Sequence, residues 1–548
     1  VKQMFGEFCV THVSPISPAR EPIMPDTALA DQLKTLLGAD NVVQDARDRA
    51  FFSSDIFTQG IVAELVVSPP DIQLLARAVA LCTAHGRAVV PRGGGLSYTS
   101  GYLPPREASV VFDLRQLDCI VEINADDMYV TVECGCTWSK LYETLKARGL
   151  RTPYFGPASG FSSTIGGALS QGSFLKGSTQ HGTTAETTLA LDVVLADGTV
   201  LSTGSAASIY NPSPFFRTYG PDITGLFLGD CGALGFKARA TLRLIPFPEH
   251  ARFATYAFDD AKCLLAAMCD AAKQGIVSEC HGWDPYVVRA FAARGEGFAA
   301  DLKYLKGVAT SGGSFVKGFL DAVKIVVAGR NIFDETHYLM HAIVEDSTAA
   351  GADAKFALLQ TAATAQNGRA LEPSVPRAIY GTPFTYPNAL LGPNGQRWVP
   401  VHALTPHSRV LGLFEAMLTF FETRADTLTG HGIEHGNLFF AVGNNTICIE
   451  PLFYWPDSRT EYHERMIQKR QLERFPLHPP NPEASTAMRD IKSALATLFM
   501  KHGCAHVQIG RAYRYLESRQ APARQLLAAL KQALDPDGLV NPGSLGLQ

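Results

Sequence analysis

Short apolar runs alternate with helical periodicities from about Asp26 to Pro248. Asp71 to His85 repeats apolar residues at helical spacing, and Arg87 to Val90, Ser109 to Asp113 and Tyr129 to Cys134 read as strands. Trp138 to Arg148 forms a helix with Leu141 and Leu145 on one face, and the strand Leu191 to Leu195 ends in the turn Asp197-Gly198. Past Pro248 the pattern becomes strand, helix, strand: Arg252 to Phe258, Ala261 to Gln274, Val277 to Trp283. It recurs at Trp398 to Leu404, Arg409 to Thr427 and Thr446 to Tyr454. Two such halves predict an antiparallel sheet with helices on one face. Between them, Gly295 to Asn388 reads as an insertion of helices and loops. Helices at Ala487 to Lys501 and Pro522 to Leu534 close the pattern. The expected class is α+β in two main parts, 26–248 and 249–484, with 485–548 returning to the first. Residues 1–25, which hold Pro15, Pro18, Pro22 and Pro25, are expected to be a disordered extension.

A chain of 548 residues with a net charge of −4 has room for two or three domains and no basic field for nucleic acid. Its 11 cysteines show no zinc spacing. Cys134 and Cys136 share one strand face, so reduced thiols in a cytoplasmic setting are expected. No uninterrupted apolar run reaches the roughly 18 residues that a spanning helix needs. The amphipathic stretch Phe315 to Val327, with Lys317 and Lys324, leaves open a packed core helix, a homodimer helix and peripheral membrane contact.

Four motifs carry the candidate chemistry. The loop Pro91-Arg92-Gly93-Gly94-Gly95-Leu96-Ser97-Tyr98-Thr99-Ser100-Gly101 follows a strand, and its backbone N–H groups can turn toward an anion. It lacks the Lys of a P-loop and the third glycine of a dinucleotide fingerprint. Pro157-Ala158-Ser159-Gly160-Phe161-Ser162-Ser163-Thr164-Ile165-Gly166-Gly167 follows, trailed by Gly172 and Gly182. Then come Gly229-Asp230-Cys231-Gly232 and, near the end, Asp537-Gly538-Leu539-Val540-Asn541-Pro542-Gly543. In this order the motifs resemble the FAD-binding oxidoreductases of the vanillyl-alcohol oxidase and p-cresol methylhydroxylase type, which include D-lactate dehydrogenases and glycolate oxidase subunits. The resemblance implies a two-part FAD-binding domain with an antiparallel-sheet cap. It implies that FAD is held by Pro91, Arg92, Gly93, Gly94, Gly95, Leu96, Ser97, Pro157, Ser162, Ser163, Thr164, Gly166, Gly167, Gly172, Gly182, Gly232 and Asn541. Members that tether flavin through the glycine loop have a histidine where this chain has Leu96, so noncovalent FAD is expected.

Alcohol oxidation on a flavin needs a base for the hydroxyl proton and donors for any carboxylate. The candidates are His402 in a cap strand, placed on the face opposite Val399 and Val401, and His506, Arg511, Tyr513 and Arg514. Arg511 and Arg514 fit a carboxylate clamp or surface pairing with Glu517. The leading substrate is a D-2-hydroxyacid such as D-lactate. A phenolic alcohol and a flavin protein without net redox turnover are the alternatives, and oxygen, quinone and cytochrome all stay open as electron acceptors. The metal-binding motifs of the hydroxyacid branch are not intact: His431, Glu434 and His435 offer ligands or a solvated His/Glu pair, and no metal is expected.

Overall fold

The computed structural model describes residues 27–210, 212–293 and 337–548. The expected extension 1–25 and the amphipathic stretch 315–327 lie outside the described residues.

Strands Val42–Val43, Leu65–Val67, Ser109–Asp113 and Ala88–Arg92 form the first sheet in that spatial order, the last three running parallel. Val89, Val90, Val110 and Val111 are fully buried, as expected where a parallel sheet is covered on both faces. Helix Ile72–Ala84 packs on it and starts where the Asp71 carboxylate accepts the Leu74 N–H at 2.8 Å. The chain's end returns here: Val89 N–H donates to Leu539 O and Asn541 N–H to Val89 O, both at 2.8 Å. A second, antiparallel sheet is ordered Ile120–Asn124, Tyr129–Glu133, Phe236–Arg243, Thr188–Val194, Val200–Ser202.

Among the described residues the largest sheet has eight strands. Its order is Arg369–Leu371, His250–Phe258, Tyr338–Asp346, Glu279–Trp283, Glu434–Val442, Thr446–Trp455, Arg397–Pro400, with Ala403–Pro406 also on Thr446–Trp455. This corrects the reading of 295–388 as an insertion of helices and loops. Tyr338–Asp346 sits inside the sheet, paired on both sides, and helix Ala349–Thr364 covers it. Its alternation is masked because both faces are buried, so polar His341 and Glu345 stand where a half-exposed strand would show solvent.

Helices Ala261–Lys273, Val410–Glu422 and Pro482–Lys501 bury Leu264, Met268, Leu413 and Leu495 in one core with Ala342 and Ile449, on one face of this sheet. The opposite face meets the first half of the chain across two buried ion pairs. Arg151 donates to both Glu345 oxygens at 2.7 and 2.9 Å, and Lys176 reaches Glu279 at 3.1 Å. Glu345 and Glu279 are thereby each matched by a cation from the first half of the chain, as buried charge requires.

Candidate functional site

The glycine loop and the Ser162–Thr164 segment touch so closely that side chains are excluded. A Cβ on Gly94 would stand 2.0 Å from Ser162 O, and one on Gly93 2.2 Å from Thr164 Oγ1. Thr164 then caps helix Ile165–Gln171 by accepting the Gly167 N–H, while Gly166 N–H donates to Cys134 O at 2.8 Å. One cleft results. Pro91 through Ser97, Pro157, Ser163, Thr164, Gly166, Gly167 and Gly232 line it, joined by Cys134, Gln171, Lys237 and Gln508, which the sequence reading omitted.

The remaining expected cofactor residues are not among the residues lining the cleft. Ser162 supports Gly94 from behind. Gly172 ends helix Ile165–Gln171 in the left-handed conformation, and Gly182, at φ 79°, packs on Glu186. Asn541 donates to Gly101 O and Cys231 O at 2.7 and 2.8 Å, knitting two of the glycine segments together. Arg92 borders the cleft, but its guanidinium is buried over Tyr102 and donates to Ser54 O at 3.0 Å. Lys237 is paired inside the protein with Asp230 at 2.5 Å, and Asp230 also accepts the Gly232 N–H. A buried Lys–Asp pair at the cleft wall was within reach of sequence reading, since Asp230 stands in the third motif.

Gln508 leads from this cleft to the cap. It holds φ 49°, its N–H donates to Gln171 O at 2.6 Å, and its amide donates to the Tyr98 hydroxyl at 3.0 Å. The strand predicted over Trp398 to Leu404 is interrupted at Val401 and His402, yet its register is unbroken: Pro400 pairs with Leu452 and Ala403 with Ile449. His402 therefore falls opposite Glu450. Its own N–H leaves the ladder and donates to the Tyr513 hydroxyl at 2.9 Å.

These side chains form one network. His402 Nε2 donates to Val507 O at 2.6 Å, which leaves Nδ1 as an acceptor 3.4 Å from the Tyr513 hydroxyl and 3.5 Å from that of Tyr98. Burial pushes His402 down to about 3. His506 donates from Nδ1 to His402 O at 2.9 Å, stacks on Tyr513 at 4.1 Å, and is pushed by burial to about 4. Among the described residues the Glu450 carboxylate has one hydrogen-bond partner, the Tyr98 hydroxyl at 3.5 Å, and burial raises it to about 7. Lys492 donates to Tyr98 O, and burial lowers it to about 8.

Three expectations change in this light. His402 is too weak a base at about 3, with Nε2 committed to a carbonyl, so the group able to take a proton near neutrality is Glu450. Arg511 is not a free carboxylate clamp: its terminal nitrogens donate to Ser100 O, Leu103 O, Asn541 Oδ1 and Pro542 O. Arg514 is exposed beside Glu517 at 3.7 Å. The only sequence signal for Glu450 was its charge within an otherwise apolar strand. His431, Glu434 and His435 do not converge either: His435 packs on Phe421 at 4.2 Å, while Glu434 accepts from Tyr286 at 2.9 Å. Among the described residues no group of three or more His, Cys, Asp or Glu side chains is placed to hold a metal ion.

Comparison with known proteins agrees with this architecture. Residues 63–204 match the family model described as FAD binding domain. Glycolate oxidase subunit GlcD of Bacillus subtilis is 29% identical over 220 residues, 40% of this chain and 45% of that protein. The mitochondrial D-lactate dehydrogenase [cytochrome] of Arabidopsis thaliana is 30% identical over 266 residues, 48% of this chain and 45% of that protein. The chain thus spans less than half the length of these curated relatives. Among solved structures, p-cresol methylhydroxylase with substrate bound superposes with a TM-score of 0.69 at 17% identity, over 96% of this chain and 99% of that one. Alkyldihydroxyacetonephosphate synthase superposes with a TM-score of 0.63 at 16% identity, over 97% and 86%. The matched FAD-binding domain contains the glycine loop and the Thr164 cap that line the cleft. The fold is the one shared with p-cresol methylhydroxylase and alkyldihydroxyacetonephosphate synthase.

Proposed function

We propose that this chain is an FAD-linked oxidoreductase that removes a hydride and a proton from an alcohol, with Glu450 as the proton acceptor. In this reading 26–248 and 485–548 hold FAD noncovalently, and 249–484 is the substrate-binding cap. The observation that carries it is a carboxylate with a single long hydrogen bond, raised by burial to about 7, and linked through the Tyr98 hydroxyl to Gln508 of the cleft lining. Such a group is poised for general-base work at neutral pH. The glycine cleft fits FAD, because a Cβ at Gly93 or Gly94 would collide with the opposite wall where a dinucleotide needs backbone approach.

When bound, FAD supplies the hydride acceptor. Glu450 takes the hydroxyl proton. Tyr98, held by Gln508 and by Lys492 on its carbonyl, donates its phenolic hydrogen bond to Glu450 and orients the carboxylate. His402 and Tyr513 form the neutral wall behind it, and Trp398 closes it edge-on to Tyr98 at 5.9 Å.

With Arg511 and Arg514 engaged elsewhere, this wall favours an uncharged aromatic or hydrophobic alcohol. The 2-hydroxyacid reading keeps support from the names of the glycolate oxidase and D-lactate dehydrogenase relatives. Anaerobic bleaching of the holoprotein by a panel of neutral alcohols, phenolic alcohols and D- and L-2-hydroxyacids decides between them. Bleaching by neutral or phenolic alcohols is expected. Bleaching by one hydroxyacid series alone would replace the first reading with the second, and no bleaching by any alcohol would overturn both.

A further inference from the structure

We propose that Tyr462, on the cap, is a positioning residue for the FAD cleft: its hydroxyl holds the Gly95 carbonyl and so couples docking of the cap to binding of FAD. This rests on the FAD reading of the glycine cleft.

Consecutive glycines lose much backbone freedom when fixed in one conformation. In this loop Gly95 sits at φ 71°, and its carbonyl accepts two phenolic hydroxyls, Tyr102 and Tyr462, each at 2.5 Å. Tyr102 belongs to the same loop. Tyr462 lies 367 residues further along the chain, on helix Glu461–Met466 of the cap. Its ring is 1% exposed and stacks on Phe51 at 6.0 Å.

The outer side of that helix is tied to the first half of the chain by ions. Arg47 meets Glu461 at 2.9 Å, and Arg465 meets Asp48 at 2.7 Å. On the inner side buried His463 caps the helix at Thr460, and the Tyr462 hydroxyl holds a carbonyl of the loop that lines the cofactor cleft. A cap that is seated fixes the loop, and a fixed loop binds FAD without first having to be ordered. Linkage makes the effect reciprocal, so bound FAD must also hold the helix more firmly.

The test is Tyr462→Phe, which keeps the ring and leaves Gly95 O with Tyr102. FAD affinity is measured by titrating apoprotein and following flavin fluorescence. Loss of one hydrogen bond predicts binding weaker by about five- to tenfold. In hydrogen exchange, FAD should slow the Ile467 N–H, bonded to His463 O at 3.1 Å, in the wild type and less so in the variant. A variant that melts earlier yet binds FAD as tightly as the wild type would show a merely structural tyrosine and overturn the proposal. Should Tyr462→Phe fail to fold, Glu461→Gln loosens the same helix from its exposed side. Its FAD dissociation constant should rise about twofold by the ordinary worth of surface ion pairs, and an unchanged constant would be equally fatal. Wild-type protein that binds no FAD would overturn the cofactor reading itself, a result distinct from equal binding by wild type and variant.

Discussion

Replacing Glu450 by Gln should stabilise the protein while abolishing its turnover. The Glu450 carboxyl is raised by burial from an ordinary 4.5 to about 7. The folded state therefore keeps the proton where the unfolded chain has lost it, and the native protein loses stability as pH rises from about 4.5 to 7. Above 7 the full penalty is present: the gap corresponds to about 3 kcal/mol at 1.36 kcal/mol per pH unit. Glutamine has no proton to lose, so the variant should gain on the wild type by about 2 kcal/mol between pH 5 and 7.5. The titratable neighbours do not blur this window: His402 stays neutral with its value near 3, Tyr98, Tyr513 and Cys448 are raised by burial, and Lys492 changes only near 8. Thermal and urea unfolding of both proteins at the two pH values measures the stability difference. Anaerobic flavin bleaching measures turnover, which should fall by about 10² or more for loss of a general base. A stability difference that is flat with pH, or a Gln variant that bleaches at the wild-type rate, would refute the argument.

Gly94→Ala should abolish FAD binding, seen as loss of the flavin absorbance that copurifies with the protein, because the new methyl would stand 2.0 Å from the Ser162 carbonyl oxygen. Arg151→Met strands the Glu345 carboxylate inside the domain contact and should cost about 3–5 kcal/mol in urea unfolding, most of it regained when Glu345→Leu is added. Arg511→Ala should lower stability and slow neutral alcohols and hydroxyacids alike, since the guanidinium serves four oxygens of the protein; a selective rise in KM for carboxylate substrates would restore it as a clamp. The rate should rise with pH through about 7 as Glu450 ionises, and Tyr98→Phe should displace that limb because the carboxylate loses its single hydrogen-bond donor.

The cofactor half of the molecule was largely legible because its constraints are local and steric. A run such as Gly93-Gly94-Gly95 records a place where backbone meets backbone, and the colliding partners, Ser162 and Thr164, lay in the next motif. Helix Ile72–Ala84 announces itself through Asp71 at its start and an apolar face repeated every turn. Even Asn541 could be placed, although its work proved to be bracing Gly101 and Cys231 from outside the cleft lining. Tyr338–Asp346 was missed for the opposite reason. A strand buried on both faces between His250–Phe258 and Glu279–Trp283 carries no alternation of period 2, and the pairing that makes it a strand is with residues 56 to 96 positions away.

The proposed proton-accepting site failed to show itself in the sequence for a reason that bears on its chemistry. Charge and aromaticity drew attention to the segment 506–515, and to His402, but what decides a role is how far each group is already satisfied. Arg511 spends its terminal N–H groups on carbonyl and carboxamide oxygens, and His402 gives Nε2–H to Val507 O. Both are strong candidates by residue type and both are occupied. Glu450, one acid in the run Thr446-Ile447-Cys448-Ile449-Glu450-Pro451-Leu452, is half-buried with almost nothing to answer its charge. An unanswered carboxylate is costly at a partly desolvated position, and in the proposed mechanism the proton it wants arrives with the substrate. The register that sets His402 opposite Glu450 is therefore as necessary to the proposed site as the carboxylate itself. Shifting Arg397–Pro400 by one position would turn Trp398 and His402 away from Tyr98 and leave the same residues with no site.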